Sequence, residues 1–103
     1  MVTYEVTAVV AATRVTQYED YMRHHIPDLL ATGCFTAASL EKAASGRYRV
    51  RYEARSQADL DKYLREHAPR LRDDFATHFP TGIQLSREVW ETLQLWPSPR
   101  DSE

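Results

Sequence analysis

Two stretches of this chain share one skeleton: YMRHHIPDLL at 21–30 and YLREHAPRLR at 63–72. Tyr, Arg, His, Pro and a Leu recur in the same order, at an offset of 42 residues. Each copy lies on an apolar stripe of helical period. The first stripe runs Tyr18, Tyr21, Met22, His25, Ile26, Leu29, Leu30, and the second Leu60, Tyr63, Leu64, His67, Leu71, Phe75. Each is flanked by segments that alternate like strands. TYEVTAVVA (3–11) precedes the first helix and CFTAASLEKA (34–43) follows it. RYRVRYEA (47–54) and IQLSREVWETLQL (83–95) bracket the second. The order β-α-β-β-α-β, with a repeat across its two halves, defines the split βαβ arrangement of an α+β ferredoxin-like domain. A four-stranded antiparallel sheet with two helices on one face is expected.

Local signals set the boundaries. Thr16 with Glu19 has the form of a capping box, Gly33 of a helix stop, Ser45-Gly46 of a turn, and Ser56 of a second N-cap. Residues 1–96 form a single domain, and the proline-containing 97–103 read as a frayed tail.

Alternation sorts the sheet residues onto two faces. Tyr4, Val6, Ala8, Val10, Tyr48, Val50, Tyr52, Ile83, Leu85 and Val89 belong to the face that the helices cover. Glu5, Thr7, Arg49, Arg51, Glu88 and Trp90 belong to the open face. An uncovered sheet face meets either water or a partner, and aromatic residues interleaved with paired charges suit a second copy of the chain. Arg49, Arg51 and Trp90 are the candidate ligand-binding residues on that face.

Composition excludes several function classes. Thirteen basic against 15 acidic residues give a net charge of −2, which provides no field for nucleic acid or an anionic membrane. No apolar run approaches membrane-spanning length, and the N-terminus lacks a basic leader. The lone Cys34 forms no internal disulfide and reads as a small buried hydrophobe, consistent with a reducing cytoplasm. His24, His25, His67 and His78 lack metal-ligand spacing, so no metal site is expected, and no cofactor is specified. Asp73-Asp74 reads as a solvated helix face.

Pro27 and Pro69 each deprive a carbonyl, that of Arg23 and of Arg65, of its helical partner. A kink, or a helix that restarts with Pro in its first turn, is the expected response. His25 and His67 then satisfy buried polar groups at two packing joints. Alternatively, His25 is a general base.

The YEVT, HHIPDLLATGCF, RYRVRYEA and YLREHAPRLRDDF segments together resemble a family of small bacterial proteins of unknown function in the dimeric α/β-barrel superfamily, over about residues 2–92. The resemblance implies a ferredoxin-like subunit whose homodimer faces two sheets into a barrel. The wider superfamily includes cofactor-free monooxygenases, small isomerases, haem-degrading enzymes and amino-acid-binding regulatory domains. Three functions stay open: a module that binds a small molecule, a cofactor-independent oxygenase or isomerase with His25 as base, and a ligand-free dimeric scaffold.

Overall fold

The computed structural model describes residues 1–99. Strand β1 (Val2–Val10) leads through a 3-10 turn (Ala12–Arg14) into helix α1 (Val15–Ala31). Strands β2 (Ala37–Ala43) and β3 (Arg47–Ala54) form a hairpin. Helices α2 (Gln57–Glu66) and α3 (Ala68–His78) precede the last strand, β4 (Ile83–Glu91). The sheet is antiparallel in the order β2-β3-β1-β4. This is the ferredoxin-like fold, with three α-helices in place of the two expected.

The extra helix arises at the second His-x-Pro. His67 (φ −122°, ψ −36°) interrupts the run, and Pro69 falls in the first turn of α3, where a missing N–H costs nothing. At the first His-x-Pro, α1 continues through Pro27 without a break. Pro27 and Arg23 are both exposed, so water meets the carbonyl that loses its partner.

The start of α1 also differs from expectation. The 3-10 turn feeds directly into it, and no side chain caps it. Thr16 lies inside the helix, and Glu19 is drawn away by Tyr48, Lys42 and Arg23. Ser56 does cap α2, its Oγ accepting from the Asp59 N–H at 3.2 Å. In the β2–β3 turn Ser45 and Gly46 both have positive φ, 64° and 72°. A Cβ on Gly46 would stand 2.6 Å from the Val10 carbonyl oxygen.

The two faces divide by alternation except along β4, where Val89, expected beneath the helices, is 49% exposed. Tyr4, Ala8, Val10, Tyr48, Val50 and Tyr52 are buried beneath the helices with Tyr18, Met22, Leu29, Leu60, Tyr63 and Leu71. Cys34 and Phe35 close one end of this core. The core is unusually aromatic. Tyr4, Tyr52, Tyr63 and Phe35 form one cluster, with centroids 4.9–6.4 Å apart.

Past β4 the chain leaves the sheet. The Thr92 N–H donates to the Met1 carbonyl at 3.0 Å, and beyond that no strand lies beside it. Leu93, Leu95 and Trp96 project outward. Residues 97–99 continue this segment, and the remainder of the expected tail lies outside the described residues.

Candidate functional site

The repeated tyrosine and histidine explain each other. In both halves the histidine stacks on the tyrosine one turn earlier. Tyr21 and His25 have centroids 5.1 Å apart at 28°, and Tyr63 and His67 lie 6.4 Å apart at 26°. Neither imidazole makes a hydrogen bond among the described residues. The expected role in satisfying buried polar groups is therefore absent, and the shared element is the ring pair. The repeat ends there. His67 borders a shallow outer hollow with Asp28 and Arg70, whereas His25 faces inward.

His25 lines a cavity of about 40 Å³ between sheet and helices. Its floor is Tyr4, Val6, Tyr52 and Leu85 from the sheet. Tyr18, Met22 and Leu29 of α1 form one wall, and Tyr63 of α2 with Leu71 and Phe75 of α3 the other. Arg72 of α3 and Arg87 of β4 complete the lining. Arg72 Nη2 donates to the Tyr4 hydroxyl at 3.1 Å. Among the described residues neither guanidinium meets a carboxylate.

Burial controls the electrostatics. It raises the proton affinities of Tyr18, Tyr52 and Tyr63, so all three remain neutral phenols at neutral pH. Their rings are buried, yet their hydroxyls find no partner among the described residues. Burial also lowers the proton affinity of His25 below its ordinary value, while Asp28 and Asp74 oppose the shift. The imidazole is therefore neutral near pH 7 and able to accept a proton. Its stacking partner is held in place, because the Tyr21 hydroxyl donates to Asp74 Oδ2 at 2.5 Å. Asp74 is thus a tie between α1 and α3 as well as a solvated acid.

The cavity's key side chains were only partly legible in the sequence. His25 was found by its stripe. Arg87 shares the parity of Leu85 and Val89, which puts it on the helix side of the sheet, although Arg87 and Val89 are both exposed there. Arg72 has no such signal, since it follows the stripe residue Leu71.

Arg49, Arg51 and Trp90 share the open face, on the other side of the sheet from His25. Their cross-strand rows are Glu41–Arg49–Thr7–Ser86, Ser39–Arg51–Glu5–Glu88 and Ala37–Glu53–Thr3–Trp90. Arg49 Nε donates to Glu41 Oε1 at 2.9 Å, and Arg51 Nε stands 3.6 Å from Glu5 Oε2. That nitrogen is buried without a hydrogen bond. Trp90 is 52% exposed at the β4 edge. Among the described residues no group of three or more His, Cys, Asp or Glu side chains is arranged to hold a metal ion. No helix among them is long and apolar enough to cross a membrane.

Fold and site together define a ferredoxin-like α+β domain with a tyrosine-rich cavity between its sheet and helices. The chain belongs to the family described as a domain of unknown function (DUF4286), which it matches over residues 1–93. No curated protein shows significant similarity to it. Among solved structures it is similar to SnoaB from Streptomyces nogalater, described as a cofactor-independent oxygenase, with a TM-score of 0.75 and 13% identity. That match covers 94% of this chain and 97% of the other. It is also similar to an antibiotic biosynthesis monooxygenase, with a TM-score of 0.66 and 14% identity over 91% of this chain and all of that one. A dimeric ferredoxin-like protein from an uncultured marine organism matches with a TM-score of 0.69 and 10% identity, over 92% and 96% of the two chains. At these identities the likeness is one of fold.

Proposed function

We propose that the chain binds a small planar anion, a carboxylate or an enolate, in the cavity beside His25. One observation carries this reading. Three neutral phenols without protein partners surround the same space as two guanidinium groups that meet no carboxylate. Among the described residues only Arg51 Nε is a sealed side-chain polar atom without a partner, so these three hydroxyls reach open space, where a hydrogen-bonding ligand can meet them. On the open face, by contrast, Glu41 and Glu5 already answer Arg49 and Arg51. At about 40 Å³ the cavity admits two or three water-sized groups, whereas a benzene-sized guest needs roughly 150 Å³. Binding therefore moves a wall. Helix α3 is the wall that can yield, because it lies between the His67 break and the Gly82 turn (φ 90°). The Arg72–Tyr4 and Tyr21–Asp74 bonds hold it closed. The test is thermal unfolding with benzoate and with its neutral isostere benzamide. Benzoate should raise the melting temperature, and Arg87→Met should abolish its advantage. Equal shifts with both probes would overturn the anion reading. Native mass spectrometry of protein from its own cells would then show whether any ligand is retained.

A second reading is favoured by the neutral, cavity-facing His25. It takes a proton from a C–H or O–H acid held there, and the resulting enolate isomerises or meets dioxygen. The fold likeness to an oxygenase described as cofactor-independent supports it. Acetylacetone, which enolises to a planar anion, is a suitable probe: deuterium wash-in at its acidic carbon should be faster with the protein and lost in His25→Phe. We also infer a homodimer in which two copies face their open sheets, as the likeness to a dimeric ferredoxin-like protein suggests. A reducing, cytoplasmic setting fits the single thiol.

A further inference from the structure

We infer that residues 93–96 form an arm that anchors each copy of the chain to a second copy. This rests on the proposed dimer and goes beyond it by naming the contact that holds it. Leu93 is 90% exposed, Leu95 75% and Trp96 78%. Large apolar side chains clustered in water mark an interaction site. The arm is also unpartnered along its backbone direction, because β1 begins at Val2 and no strand of the same sheet accompanies the chain past Thr92.

A second copy is the occupant that the surface favours. The arm begins three residues beyond Trp90, which lies on the open face, and so starts within reach of a copy seated there. Among the described residues that face bears one base in no ion pair, Arg47 on β3, and on β4 an acid in none, Glu88; Glu53 of β3 also lacks a base but accepts from the Thr3 hydroxyl. A two-fold axis that brings β4 of one sheet over β3 of the other lets each answer its counterpart, and self-complementarity is what an isologous interface requires. Charges at a rim supply little affinity, and apolar anchors supply most of it. On the open face itself, among the described residues, only Trp90 and Val9 are large, apolar and exposed. The face therefore needs the arm to reach the energetics of a stable dimer.

Sedimentation velocity across a dilution series tests this with three chains: the full chain, one ending at Trp96 and one ending at Thr92. The full chain and the Trp96-ended chain should dimerise equally. The Thr92-ended chain should dissociate about 100-fold more readily, the yield of partly burying three large apolar side chains. Circular dichroism is the check that it is folded. Should that deletion unfold, the full-length triple variant Leu93→Ser, Leu95→Ser, Trp96→Ser takes its place. A Thr92-ended or triply substituted chain that dimerises as tightly as the full chain overturns the arm and leaves the dimer standing. A full chain that is monomeric at every concentration overturns the dimer itself, and the arm with it. If removing the arm lowers the melting temperature but not the dimer constant, the arm folds back on its own chain and the inference fails.

Discussion

His25 occupies a position that a leucine would fill in most amphipathic helices, stacked on Tyr21 and near Phe75. Because burial holds its proton affinity below the ordinary value of 6.5, the unfolded chain takes up the proton first as pH falls. Stability attributable to this group is therefore complete above pH 6.5 and is lost on acidification. His25→Phe keeps the ring stack and removes the titration, so it should flatten the fall in melting temperature below pH 6.5. An unchanged slope would show that the imidazole is not what acid attacks. Arg51 poses the converse case. Glu5 sits directly across from Glu88, and the Arg51 guanidinium is the positive group beside it. Arg51→Met should cost about 1–3 kcal/mol in denaturant unfolding, because the Glu5 carboxylate is left without its partner, and adding Glu5→Gln should recover most of that. If the single variant melts like the parent, the pair contributes nothing.

At the scale of elements, the two His-x-Pro segments share a sequence but differ in outcome. Pro27 sits mid-helix, where it removes a helical hydrogen bond, and Pro69 sits where no N–H is wanted. Pro27→Ala should therefore stabilise, by up to about 3 kcal/mol. Pro69→Ala should shift stability by less than about 0.5 kcal/mol. Equal effects from the two would mean that the break at His67 is set by something other than its proline. The sequence patterns reach this far and then stop. Period-two and period-3.6 signals place every strand and the inner face of each helix, because burial enforces them. The capping box at Thr16 fails because Glu19 has better partners 23 and 29 residues away, and no local pattern reports distant competition. The cavity is hidden for the same reason. Tyr4, Tyr18, Tyr52 and Tyr63 each read as ordinary core residues, and only the assembled fold shows that their hydroxyls share a space with Arg72 and Arg87.

For the whole molecule, the open sheet face and the arm beyond β4 make concentration the variable to control. Dimerisation should bury Trp96, so its fluorescence should shift to the blue as concentration rises. The Trp90→Phe variant isolates that signal. An emission spectrum that does not move with concentration would leave Trp96 in water at all times. Cys34 provides the complementary view. It is the only thiol in the chain, it is 4% exposed, and it lies against the core just before β2. A buried thiol reacts with an alkylating reagent only when the structure around it opens. The rate at which Cys34 is labelled is thus a built-in clock for that opening. A ligand that settles in the cavity stabilises the folded chain by mass action and should slow the clock without touching the sulfur.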